Sequence, residues 1–126
     1  MSERGITTVD FAIALNRWWS DALQFGLPDD TTWSFTGMSF LMDLKVHSSD
    51  TTPVLSLSSA AGSIVVDDPV KRILHFNVTD VALRAVLQAG TEYHYDLIMV
   101  NGVTGERDAL CAGHVKVQSG VTTSGV

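Results

Sequence analysis

The sequence has little of what usually announces a chemistry. Its single cysteine, Cys111, excludes an intrachain disulfide. Only His114 lies near enough in sequence to make that thiol's surroundings electropositive, so Cys111 reads as a small buried hydrophobe in a strand. Basic residues are few: 8 Lys and Arg face 14 Asp and Glu, a net charge of −6, with no basic run. That balance argues against a nucleic-acid surface. No apolar run approaches the ~18 residues of a membrane span. The first five residues, Met1 to Gly5, lack the basic and apolar regions of a signal peptide, so synthesis in a cytoplasm is expected. There is no Gly-x-Ser-x-Gly, phosphate loop or dinucleotide fingerprint. The expectation is a protein that is not an enzyme and carries no cofactor.

What is present fits a folded globule. Apolar residues make up 45% and charged residues 17% of a chain of 126, enough for one domain with a real core. We read residues 1–121 as a single domain with an N-terminal arm, and 122–126 as a small polar tail. Period-2 alternation dominates. It marks a first strand at Phe11, Ile13 and Leu15 and a second at Leu23, Phe25 and Leu27, stopped by Pro28-Asp29-Asp30. The clearest amphipathic strand runs from Met38 to Val46. A short strand opens at Val54 after Pro53. Ile64 to Val66 and Arg72 to Val78 flank the Asp67-Asp68-Pro69 turn signal. Tyr93, Tyr95, Leu97 and Met99 share one face of the next strand. Asn101-Gly102 and Gly105 turn it into a last strand through Leu110 to Val117, a closing hairpin.

One segment breaks the pattern. Thr79 and Asp80 offer N-cap oxygens, Val81, Leu83, Val86 and Leu87 recur at helical spacing, and Gly90 stands where a C-cap glycine would. This predicts one short helix over Asp80 to Gln88, held by packing because so short a helix does not persist alone. The predicted fold is all-β: an immunoglobulin-like or jelly-roll β-sandwich with one short helix.

Four histidines, His47, His75, His94 and His114, match no compact ligand spacing and read as outward strand positions; no metal site is expected. Asp29-Asp30 and Asp67-Asp68 read as turn chemistry rather than calcium ligands. Asn77-Val78-Thr79 fits the glycosylation pattern, but Thr79 is needed as a helix cap. Trp18-Trp19 follows Arg17, and neighbours on a strand point to opposite faces. One tryptophan is expected in the core and the other outside, as an interface anchor. Trp33 and Phe35 form a similar pair.

Several short pieces occur in a suggestive order: Phe35-Thr36-Gly37 before the long amphipathic strand, Ala61-Gly62-Ser63-Ile64-Val65-Val66, Leu87-Gln88-Ala89-Gly90, Tyr93-His94-Tyr95-Asp96-Leu97, Gly113-His114-Val115-Lys116-Val117 and Val121-Thr122. This order, over most of residues 10–122, resembles a group of short phage and prophage virion proteins. More distantly it is similar to the N-terminal sandwich of upper-baseplate proteins in phages of Gram-positive bacteria. The chain departs from that pattern at Trp18-Trp19 and at Ala109-Leu110-Cys111-Ala112-Gly113, where a leucine-rich segment is usual. The resemblance implies a non-enzymatic virion structural protein, made in the host cytoplasm, that binds other virion proteins and copies of itself. Tail, baseplate, connector, fibre adaptor and head surface remain open. Neither a nucleic acid nor a membrane is an expected partner. The expected contact residues are Ile6 and Val9 of the arm, Trp18, Trp19 and Trp33, and Val121 and Thr122 of the tail. The alternative is a carbohydrate-binding sandwich for host attachment, with Trp18, Trp19 and Trp33 as platforms and Asp29 and Asp30 as polar groups. A hydrolase would need a deep polar cleft with paired carboxylates.

Overall fold

The computed structural model describes residues 7–27, 29–122 and 124. Among them are nine strands and one helix, in the order β1 (Thr7–Thr8), β2 (Phe11–Ala14), β3 (Ala22–Gln24), β4 (Met38–Lys45), β5 (Leu55–Ser58), β6 (Ile64–Asp68), β7 (Ile73–Phe76), α1 (Asp80–Val86), β8 (Glu92–Asn101) and β9 (Arg107–Gln118). The larger sheet runs β1-β9-β8-β4-β5, with β2 also on β9; the smaller runs β3-β7-β6. All pairings are antiparallel except those of β1 and β2, which lie parallel to β9.

This arrangement decides between the two expected sandwiches. The strands B, E and D of an immunoglobulin domain correspond to β3, β7 and β6, and G, F, C and C′ to β9, β8, β4 and β5. A second mark is the tyrosine at the start of the F strand: Tyr93 Oη accepts a hydrogen bond from the Gln88 backbone N–H at 3.0 Å, closing the corner where the chain enters β8. The fold is an all-β, immunoglobulin-type sandwich with one helix in the β7–β8 connection.

Alternation builds the core as expected. Phe40, Met42 and Leu44 of β4 and Tyr93, Tyr95, Leu97 and Met99 of β8 are buried, facing Leu74 and Phe76 of the smaller sheet. No inter-sheet disulfide spans this core. Aromatic rings fill it instead: Trp19 packs on Phe76 at 4.5 Å between centroids, and Phe11 contacts Trp19, Phe76 and Tyr95 at 5.4–5.5 Å. Cys111 is a buried member of the same core, and burial pushes its thiol pKa up, away from the reactive thiolate.

Three local expectations change. The second strand ends at Gln24: the Phe25 N–H still donates to the Arg72 carbonyl at 3.0 Å in ladder register, but the Phe25 carbonyl accepts from the Arg72 side chain, Nε, at 2.7 Å. Phe25 is therefore only half-buried, and Leu27 is exposed. The β6–β7 turn falls after Asp68 rather than at Asp67, with Asp68 Oδ1 accepting from the N–H groups of Val70 and Lys71. The helix ends at Val86. Thr79 caps it as expected, its Oγ1 accepting from Ala82 N–H at 3.2 Å, but Gly90 is not its cap. Leu87 leaves the helix in extended conformation to reach the core, and Gly90 instead donates its N–H to the Val117 carbonyl.

Arg72 organises the connection between β3 and β4. It is fully buried, at a φ of 61°. Besides Phe25, its guanidinium donates to the carbonyls of Asp30 at 2.7 Å, Val70 at 2.8 Å, Trp33 at 3.1 Å and Leu27, and it lies 5.2 Å from the Trp33 ring centroid. A rigid fork of donors suits this task, since it satisfies several diverging carbonyls at once.

Candidate functional site: the free edge of β2 and the Trp18 end

The N-terminal arm does not hang free. Thr7 and Thr8 pair with Cys111 and Ala112, so the arm lies along β9 as an edge strand of the larger sheet. Val9 is half-buried against the core, and its carbonyl accepts a hydrogen bond from Tyr95 Oη. Val9 thus packs partly on the core as well as standing at the arm. Ile6 lies outside the described residues. Gly113 makes the crossing from β1 to β2 feasible: a Cβ there would sit 2.3 Å from the Val9 carbonyl oxygen. Asp10 fastens the crossing on its far side, its Oδ1 accepting from His114 N–H at 2.9 Å.

β2 continues this edge along β9. Val9 and Leu15 donate their N–H groups to β9, to the carbonyls of Ala112 and Gln118. Strand alternation then turns the N–H and C=O of Ala12 away from β9, toward solvent. Ala12 carries no charge or bulk that would block an incoming strand.

Beside this edge stands the tryptophan pair. The expected split is observed. Trp19 is 2% exposed and belongs to the core, tied by a two-way backbone bridge to Val78 and by Nε1–H to Asp21 Oδ2 at 3.0 Å. It is corrected from contact residue to core residue, because the Val78 bridge directs its ring inward. Trp18 points the other way and is 56% exposed. A depression of about 140 Å³ runs along Ala12 to Ala14 and is walled by Arg17 to Asp21.

The tail reaches the same end. Asn16 Nδ2 donates to the Thr122 carbonyl at 3.0 Å, and a Cβ at Gly120 would collide with the Asn16 side chain. Thr122 is exposed and Val121 is 98% exposed. The fold thus gathers Trp18, Val121 and Thr122 around the end of β2. Arg84 of α1 fastens the end of β2, donating to the Leu15 carbonyl at 2.9 Å while paired with Asp80 at 2.7 Å.

Trp33 does not join them. It is half-buried in the β3–β4 connection at the opposite end, lining a depression of about 300 Å³ with Met38, Met99 and Glu106. The three tryptophans accordingly form no common platform, and Asp30 is occupied as a turn acceptor for Thr32. His75, on the smaller sheet, bonds Asp67 at 2.9 Å, whereas His94 and His114 touch on the larger one, their rings tilted at 59° with centroids 4.7 Å apart. Among the described residues no group of three or more His, Cys, Asp or Glu side chains is placed to hold a metal, and no helix is long and apolar enough to cross a membrane.

Set against known proteins, the sequence matches no family model, and no curated protein matches it. The functional reading therefore stands on the residues. What the Trp18 end offers chemically is strand addition: main-chain hydrogen bonds from the β2 edge supply affinity, and an aromatic anchor supplies position.

Proposed function

We propose that this chain is a non-enzymatic structural module of a bacteriophage particle, joining neighbouring subunits of a tail, baseplate, connector or head surface. The observation that carries the reading is the open backbone edge at Ala12 beside exposed Trp18, with Val121 and Thr122 at the same end. The order of short motifs that resembles phage virion proteins supports the phage assignment. Those pieces coincide with structural joints: Thr36 and Gly37 turn into β4, Ala61 and Gly62 precede β6, and Gly113 admits the β1–β2 crossing. Other virion proteins and further copies of the chain are the partners, and symmetry would multiply a modest contact through avidity.

The test uses Ala12→Pro and Trp18→Ala in the phage that encodes the chain. Proline at 12 removes only an outward N–H, so it leaves the bonds to β9 intact. Both variants are expected to melt within a few degrees of the parent and to be lost from assembled particles. Normal incorporation of both variants refutes the reading. Glycan-array binding that disappears with Trp18→Ala, together with normal incorporation, would favour host-surface attachment instead.

A further inference from the structure

The outer face of the larger sheet carries a banded pattern unrelated to the β2 edge. Register places Lys45 opposite His94, and His94 opposite His114, giving one band of basic and imidazole side chains across three strands. Two residues along, Ser56 stands opposite Asp43, Asp43 opposite Asp96, and Asp96 opposite Ala112. Two residues further, Leu41 stands opposite Ile98. The bands lie roughly 7 Å apart, the rise of two strand residues.

The carboxylate band is unfavourable within one chain. Asp43 and Asp96 are like charges directly opposite each other on the two central strands of the sheet. Ser56 Oγ donates to Asp43 Oδ1 at 2.7 Å, which offsets part of the repulsion on one side only. The surface is hollowed on both flanks of the pair. One hollow of about 500 Å³ is rimmed by Lys45, His94 and His114 over a floor of Ala112 and Gly113; the other, of about 560 Å³, is bordered by Leu41, Ile98 and Arg107.

We propose that this face binds the same face of a second copy of the chain, about a two-fold axis that crosses the strands between the Lys45–His94–His114 band and the carboxylate band. Symmetry makes such a contact isologous. Rotation about that axis lays Lys45 over the second copy's Asp43 and His94 over its Asp96, and each contact occurs twice. The other in-plane axis, along the strands, lays every band on its own kind and opposes like charges. Only the first arrangement sets the Lys45 ammonium against the repelling carboxylates and gives Asp96 an imidazole partner. Charge complementarity thus selects both the occupant and its orientation. The surface is separate from the β2 edge, so the two proposals stand or fall independently.

The test is sedimentation equilibrium of the purified full chain at low salt, run in parallel on the Ala12→Pro variant to eliminate association through the β2 edge. Dimers are expected in both. Lys45→Glu alone and Asp43→Lys alone should each weaken the dimer about tenfold or more, because each creates like-charge contacts in both halves. An equimolar mixture of the two variants should restore it. In the mixed dimer the carboxylate introduced at position 45 of one chain meets the ammonium introduced at position 43 of the other, and the native Lys45–Asp43 contact forms in the second half. Circular dichroism melts confirm that both variants fold; restoration on mixing itself requires folded chains. A monomer at concentrations up to about 1 mM would overturn the proposal. So would a dimer indifferent to both substitutions, or one that mixing fails to restore.

Discussion

Removing the Arg72 side chain should cost more stability than removing any other charged group described. Its guanidinium donates to five backbone carbonyls, those of Phe25, Leu27, Asp30, Trp33 and Val70, and is fully buried. A hydrogen bond to a charged group contributes about 1.5–3 kcal/mol, so five would sum to far more than single substitutions cost. The sum is not realised, because a loop freed of its anchor opens and lets its carbonyls reach water. Breaking a buried charged network costs about 3–5 kcal/mol, and that is the expected loss for Arg72→Ala. The backbone adds a second handle. Arg72 sits at a φ of 61°, a region that costs a non-glycine residue about 1–2 kcal/mol. Arg72→Gly should therefore be about 1 kcal/mol more stable than Arg72→Ala, although it removes the same side chain. Arg72→Lys keeps the charge but loses the fork, and should fall between parent and alanine. Urea unfolding at constant slope measures all three, and Trp33 fluorescence reports whether the connection between β3 and β4 opens first. A loss under about 1 kcal/mol for alanine, or a glycine variant less stable than alanine, would refute the reasoning.

Phe76→Ala should cost about 3–5 kcal/mol in the same assay, since Phe76 is fully buried between Phe11 and Trp19. Tyr95→Phe should cost about 1–3 kcal/mol by leaving the Val9 carbonyl without its donor, and hydrogen exchange at Val9 to Phe11 should rise as the β1–β2 crossing loosens. Burial first, then Cys111, raise the Tyr95 phenol above its usual 10.0. The stability linked to it is present below pH 10.0 and lost as pH climbs through the raised value, so the phenylalanine variant should lack that alkaline loss. Asp80 is held below the ordinary 3.8, chiefly by its hydrogen bond from Arg84. Its contribution is present above pH 3.8 and lost as pH falls through the lowered value. Melts of Asp80→Asn should therefore differ from the parent at neutral pH and converge with it in strong acid; a constant offset would sink the linkage.

Period and capping chemistry were legible without a structure. Alternation from Met38 to Val46 and from Tyr93 to Met99 identified both central strands and their buried faces, because a strand with one buried face must alternate. Thr79 marked the start of α1 because a helix leaves its first N–H groups needing an acceptor. The opposite orientation of Trp18 and Trp19 followed from geometry alone, though which of them turns inward was decided by the Val78 bridge.

Long-range pairing was not legible. Nothing local in Thr7 to Ala14 says that it lies parallel to β9, 104 residues away at Thr7 and Cys111, so the place of the arm and β2 along that strand is decided by packing. Arg72 reads in sequence as an ordinary basic residue after a turn. Only the tertiary fold brings five carbonyls around it, four of them from a connection about 40 residues earlier. The charged bands on the outer face belong to the same class: each strand shows its outward residues, but register alone sets Asp43 against Asp96 and Lys45 against His94. Sequence period fixes which way a side chain points, because that depends on neighbours one or two residues away. What it meets there depends on strand pairing between distant segments, and that was decided by packing the whole chain.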